Sequence, residues 1–201
     1  EALTADEARE RGAPLLEARG LTRKGTFEDI SFTLHRGEIV GLAGVSGNGQ
    51  RELAEVLTGL RPARQGRVLL NRRDVTHGSP AARIAAGQAA IPEERMREGA
   101  IKEFSVAENL ILQDHGRAPY SRNTFLDFTA IAARSAQLVE SFSVKTPTLD
   151  TPLKNLSGGN IQKLILAREL SRQPGVLIAA QPTRGVDVGA SEYIHHRLLE
   201  Q

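Results

Sequence analysis

The chain has 201 residues, 40% hydrophobic and 25% charged, with 26 Lys and Arg against 24 Asp and Glu. That is enough for one substantial globular domain with an inserted subdomain, and the near-neutral balance with scattered arginines argues against a nucleic-acid partner. The absence of cysteine excludes disulfides, thiolate catalysis and cysteine-based zinc sites, and no apolar run approaches the roughly 20 residues of a membrane span.

The opening run Glu1-Ala-Leu-Thr-Ala-Asp-Glu-Ala-Arg-Glu is polar and acidic, unlike a signal peptide, and lacks a starting Met. Residues 1–13 are expected to form a linker, and the chain to be a segment of something longer. Leu15 to Leu21 and Phe27 to Leu34 read as short strands, the beginning of an N-terminal β subdomain. Gly37-Glu38 is a turn, and Glu38 to Leu42 reads as a buried strand entering a glycine-rich loop. Gln50 to Leu60 follows as a helix, with Leu53, Val56, Leu57 and Leu60 at the spacing of one apolar face.

Gly66 to Leu70 is a further strand. Ser79-Pro80 opens a short helix, with Ser as N-cap and Pro at the first position. Ala89 to Ile91 is a strand ending at Pro92. From Phe104 to Arg168 the pattern turns helical, with Ile131, Leu138, Val139 and Phe142 on one face and Pro147 and Pro152 as breaks. Val176 to Ala180 is a compact apolar strand, and Ala190 to Gln201 a last helix. Strands alternating with helices define an α/β fold with a mainly parallel core sheet and a helical insertion over about residues 100–155.

Two segments carry chemistry. Gly44-Val45-Ser46-Gly47-Asn48-Gly49-Gln50-Arg51 lies between a strand and a helix and keeps the glycines of the phosphate-binding loop G-x-x-x-x-G-K-[S/T]. The spacing is also that of a tight βα connection, but bare amides at a helix N-terminus favour an anion. Gln50 stands where Lys would reach the β- and γ-phosphates, and Arg51 where a hydroxyl would meet Mg²⁺. An amide donates a hydrogen bond without neutralising phosphate, so a charge-assisted contact of roughly 1.5–3 kcal/mol is missing. The second segment, Leu156-Ser157-Gly158-Gly159-Asn160, precedes an apolar helix. Ser157 is a natural N-cap, and the two glycines admit close approach to the backbone.

In this order the segments resemble the nucleotide-binding domains of ATP-binding-cassette (ABC) transporters, over about residues 15–201, with Leu156 to Asn160 as the LSGGQ signature. The resemblance implies a P-loop NTPase-like core, an N-terminal antiparallel β subdomain and an inserted helical subdomain. It makes residues 14–201 one nucleotide-binding domain whose C-terminal part, including the family's switch histidine, lies beyond residue 201. His195 and His196 fall within a helix and are expected at the surface. Ala180 and Gln181 then replace the Walker B aspartate and the water-polarising glutamate, Glu93 falls at the Q-loop position, and Asp187 matches the D-loop aspartate. Phe27 is the nearest aromatic to an adenine-stacking position, though a core strand role suits it better. Ile161 departs from the glutamine usual after the signature.

The likeness is most detailed to the second ATP-binding half of importer ATPases for simple sugars and nucleosides. It implies ATP and Mg²⁺ as cofactors, mainly in a composite site shared with another nucleotide-binding domain, the first half of the same full-length protein. It further implies membrane permeases as partners and a peripheral place on the cytoplasmic face of the cell membrane. In that arrangement Ser157 to Asn160 completes the partner's site, while the chain's own site, Gly44, Ser46, Gly47, Asn48, Gly49, Gln50, Arg51 and Glu93, is degenerate. No residue of that site is a metal ligand, and negligible ATP hydrolysis by the chain alone is expected. Two other readings share these motifs: a non-transport ABC-type ATPase and a pseudo-NTPase interaction module.

Overall fold

The computed structural model describes residues 12–45 and 47–200; the expected linker therefore lies largely outside the described residues, as does Ser46. The chain divides between Gln88 and Ala89 into two compact units.

In the first unit, β1 (Pro14–Arg23), β2 (Phe27–His35), β3 (Gln65–Leu70) and β4 (Arg73–Asp74) form an antiparallel sheet in the order β2-β1-β3-β4. Leu16 faces Leu34 and Leu70, and Ala18 faces Phe32 and Val68. The buried set on β1 runs Leu16, Ala18, Leu21. A spacing of two and then three cannot stay on one face of a regular strand, and the register shifts between Ala18 and Leu21 accordingly. α1 (Gln50–Thr58) buries Leu53, Val56 and Leu57. It ends at Gly59, in the left-handed conformation with φ 79°, so Leu60 falls outside the helix and is exposed rather than on its apolar face. α2 (Pro80–Ala85) starts as its sequence requires, with the Ser79 hydroxyl accepting from Ala82 N at 3.3 Å.

The expected strand over Glu38 to Leu42 does not form. None of the described sheets includes it, and Ile39 and Leu42 are 73% and 56% exposed. An apolar run supplies side chains for a strand, but a strand also needs a neighbour to complete its hydrogen bonds. The first unit's sheet gives it none.

In the second unit, β5 (Gln88–Ile91) and β8 (Val176–Ala179) make a two-stranded sheet. Between them lie a π-helical turn (Arg95–Gly99), α3 (Val106–Leu110), a hairpin of β6 (Ser121–Arg122) and β7 (Phe125–Leu126), α4 (Phe128–Ser141), a 3₁₀ turn (Leu153–Asn155) and α5 (Gly158–Leu170). α6 (Val188–Leu199) follows β8. The hairpin interrupts what the sequence presented as continuous helix. α5 is buried almost all round, from Leu164 to Leu170 without a break, as expected of a helix at the centre of its unit. Leu164, Ile165 and Leu166 join Ile91, Val106, Leu110, Leu153 and Ile194 in one apolar cluster.

Two buried arginines hold these units from inside. Arg83, 1% exposed, donates to the carbonyls of Val56, Leu57, Thr76 and Gly78. Burial pushes its guanidinium pKa down from the usual arginine range. Its donors join Gly59 N and Gln88 Nε2 on the Val56 and Leu57 carbonyls in the last turn of α1, where a helix has no donors of its own to give. In the second unit Arg168 donates to the Gly99 and Asn109 carbonyls and to the carboxylate of Glu169, tying the π-helical turn and α3 to α5.

Candidate functional site

The glycine loop is organised around a missing side chain. At the start of α1 the N-cap is Gly49, at φ 90°, with no side-chain hydrogen bond to the helix. A Cβ there would lie 2.7 Å from the Thr26 carbonyl oxygen, so both the turn and the packing require glycine. Gly49 has no side-chain oxygen with which to cap the first turn of α1, where a helix supplies no acceptors of its own. Every other α-helix described here has a side-chain cap: Ser79, Ser105, Asp127, Ser157 and Asp187. An uncapped, positively polarised helix end is suited to a phosphate.

Gln50 does not extend away from the loop. Its Nε2 donates to the Val45 carbonyl at 3.1 Å and lies 2.2 Å from where a Cβ on Gly44 would stand. Gly44 is thus the gap into which the amide folds. Arg51 turns along the helix to Glu55, with Nε to Oε1 at 3.1 Å, and Arg61 takes the other carboxylate oxygen at 2.5 Å. Burial would raise the Glu55 pKa, but the hydrogen bonds from Arg61 and Arg51 outweigh it and hold the carboxyl below its ordinary value. Gly47 is in the left-handed region at φ 92°, and Gly47 and Asn48 are exposed. Phe27 is half-buried beside Leu21, Val56 and Pro62.

The second unit gathers the remaining predicted residues. Ser157 caps α5: its hydroxyl oxygen accepts from Asn160 Nδ2 at 2.9 Å and from Asn160 N at 3.4 Å. Asn160 also accepts from Lys145 N at 2.8 Å through Oδ1. The asparagine at the end of the signature thereby fixes the serine and joins it to the segment after α4. Both contacts to Ser157 are accepted ones, so its O–H remains a donor toward solvent, and α5 supplies no acceptor for the Gly158 and Gly159 N–H groups.

Behind this turn stand residues that the sequence did not single out. Arg95, on the π-helical turn, donates from Nη1 to the Arg184 carbonyl at 2.5 Å and from Nη2 to the Gly185 carbonyl at 2.8 Å. Arg184 pairs with Glu93, and with Glu94 at 3.4 Å. Asp187 caps α6 through Ala190 N at 2.9 Å, and its Oδ2 would lie 3.2 Å from a Cβ on Gly159. Gln181 sits at φ 47°, an uncommon conformation for a side chain of its size, and is exposed. Leu156 is half-buried against the apolar cluster, and His195 and His196 are exposed on α6.

The donor set does not fit a resident Mg²⁺. Gln50 offers an amide, Arg51 a cation committed to Glu55, Ala180 no oxygen on its side chain, and Gln181 an amide. Among the described residues no three His, Asp or Glu side chains gather to hold a metal. A nucleotide phosphate fits better, because a helix N-terminus capped by glycine favours an anion.

A glycine loop opening a helix within a mixed α/β chain, with a second capped glycine pair at another helix, defines the class: a P-loop nucleotide-binding domain. The sequence model of the ABC transporter family matches residues 27–184, and the chain belongs to that family. It is 41% identical over 203 residues to the guanosine import ATP-binding protein NupO of Bacillus subtilis, covering 98% of this chain and 40% of that protein. It is 43% identical to the glucose import ATP-binding protein TsgD13 of Haloferax volcanii, over 94% of this chain and 36% of the relative. The nucleoside import ATP-binding protein NupA of Lactococcus lactis is also 43% identical, over 92% of this chain and 36% of its own length. The chain therefore spans 36–40% of these curated relatives. Among solved structures, a nucleotide-free ATP-binding cassette from an ABC transporter superposes with a TM-score of 0.74 at 24% identity, covering 94% of this chain and 77% of that one. That likeness establishes the fold as the ABC cassette form of the P-loop NTPase core.

Proposed function

We propose that the chain is a nucleotide-binding domain of an ABC importer for nucleosides or simple sugars, and that its signature turn completes a composite ATP site with a partner domain. The partner is the other ATP-binding half of the same protein. The observation that carries this reading is the contrast between the two helix starts. The start of α5 is fixed by Ser157 and Asn160 with donors to spare, whereas Gln50 folds onto its own loop at α1. Relatives whose names describe guanosine, nucleoside and glucose import support the substrate class.

Phosphoryl transfer depends on positioning and charge stabilisation. At this chain's loop the N-terminus of α1 would hold nucleotide phosphate, but the Arg51 cation is turned to Glu55, and Gln50, Ala180 and Gln181 supply neither a cation nor the carboxylates that hydrolysis needs. At the partner's nucleotide the Ser157 hydroxyl and the Gly158 and Gly159 amides would donate to phosphate oxygen, with no proton transferred. ATP and Mg²⁺ thus belong mainly to the site whose P-loop the partner provides. Membrane permeases would receive the resulting closure through the Glu93 loop and the region of α3 and α4, placing the protein at the cytoplasmic membrane face.

The test is Ser157→Arg in the full assembly. The substitution replaces the hydroxyl at the start of α5 with a bulky cation, and ATPase activity is expected to vanish. Turnover preserved at the parent rate refutes the role, and would favour an interaction module that needs no composite site.

A further inference from the structure

We infer that Arg95 and Arg184 are positioning residues, forming a brace that fixes the signature turn at the start of α5 against the Asp187 turn at the start of α6. The proposal rests on the reading that Ser157 to Asn160 completes a partner's nucleotide site, and it names what aims that turn.

The brace is continuous. Arg95 spans the consecutive carbonyls of Arg184 and Gly185, at 2.5 and 2.8 Å, with one guanidinium. The same guanidinium forms the wall behind the signature: a Cβ on Gly158 would stand 2.8 Å from Arg95 Nη2 and 3.3 Å from the Gly185 carbonyl oxygen. The next glycine packs on the other turn, since a Cβ on Gly159 would meet Asp187 Oδ2 and the Ala190 Cβ, both at 3.2 Å. Gly158 and Gly159 are thus seated, one on Arg95 and one on the cap of α6. From the far side Arg184 reaches back to Glu93 and to Glu94. That ion pair commits Glu93 to a protein cation.

The two arms differ in strength. Arg95 makes charge-assisted bonds from two nitrogens held in one plane, a rigid fork that a lysine's single ammonium does not reproduce. The Arg184 side chain is 53% exposed, and an exposed ion pair contributes little by itself. Arg95 therefore carries the geometry, and the Glu93–Arg184 pair sets where the Glu93 loop stands relative to it. A displacement of that loop would be transmitted through Arg184 and Arg95 to Gly158, and so to the direction in which Ser157 presents its hydroxyl.

The experiment uses the full-length protein assembled with its permeases in vesicles, measuring ATP turnover against ATP concentration, together with binding of a fluorescent ATP analogue and thermal melting. Arg95→Ala is expected to lower kcat about ten- to a hundredfold, the scale of a misplaced positioning group. Nucleotide affinity, set by the partner's own loop before closure, should move by less than about twofold. Arg95→Lys, with a point charge that cannot fork, should recover only part of the loss. Glu93→Arg and Arg184→Glu should each lower kcat a few-fold, at about the limit of an exposed pair, and the two together should restore it. An Arg95→Ala assembly turning over at the parent rate, while Ser157→Arg is inactive, overturns the brace and leaves the composite site standing. If both variants retain activity, the composite-site reading itself falls. A loss in Arg95→Ala that tracks the melted fraction, with no restoration by the Glu93–Arg184 exchange, also overturns it.

Discussion

At the start of α1 the cap is Gly49, which has no side chain to offer, and the next residue, Gln50, bends back to the Val45 carbonyl. At the start of α5 the cap is Ser157, held by Asn160, which is itself held by Lys145 N. Both are glycine-bearing turns opening a helix, a position suited to phosphate. The difference lies in what surrounds them. The first turn carries an amide, Gln50, that bonds within the loop, while the second is buttressed by Asn160 and Arg95 and keeps the Ser157 O–H as a donor toward solvent. The glycines of the first turn answer to packing as well: Gly44 makes room for Gln50, and Gly49 for Thr26.

The largest expected effect comes from the far end of α1, where Arg83 holds its last turn. Arg83→Met removes a buried donor from four carbonyls; Val56 and Leu57 keep Gly59 N and Gln88 Nε2, while Thr76 and Gly78 lose theirs. At about 1–3 kcal/mol for each orphaned group, a loss of about 2–4 kcal/mol after partial relaxation is expected. Denaturant unfolding monitored through the first unit should show it, and an unchanged midpoint would mean that water replaces the guanidinium. Gln50→Lys tests whether the missing cation is what weakens the first site. Restoring a charge-assisted contact of roughly 1.5–3 kcal/mol should tighten ATP binding to this loop about ten- to a hundredfold. Hydrolysis should stay negligible, because Ala180 and Gln181 are unchanged; vigorous turnover by that single variant would show that the carboxylates were dispensable.

Asn160→Ala probes the second turn. It removes the acceptor for Lys145 N and the donor to Ser157 and should cost about 1–2 kcal/mol of stability, with a fall in ATPase activity of the assembly. Equal melting and equal activity would remove Asn160 from the account of the signature.

The smallest effect concerns Glu55 between Arg51 and Arg61. Because its pKa is lower in the folded chain than in the unfolded one, it contributes stability above the ordinary glutamate pKa of about 4.3, lost as pH falls through the depressed folded value. Glu55→Gln should flatten the stability profile on that acidic side by less than about 1 kcal/mol. A profile identical to the parent's would show that the two arginines do not act on this carboxyl.

Much of this architecture was legible residue by residue. Ser79, Ser157 and the two turns announce themselves because a cap and its helix are neighbours in the chain, and the local spacing carries the physics. The same local logic misplaced the strand over Glu38 to Leu42 and the face position of Leu60. An apolar run says nothing about whether a partner strand stands beside it, and Gly59 ends α1 before Leu60 can join its face.

The sequence alone determined the motif order, which side chains stand at Gln50, Arg51, Ala180 and Gln181, and the Ser79 and Ser157 caps. Only the tertiary structure decided what the glycines of the signature press against. Arg95 and the Arg184 carbonyl it holds are 89 residues apart, a contact that leaves no periodicity or local spacing to detect. Side-chain chemistry is written in the chain at each position; which carbonyl a guanidinium meets is settled by the path of the backbone between them.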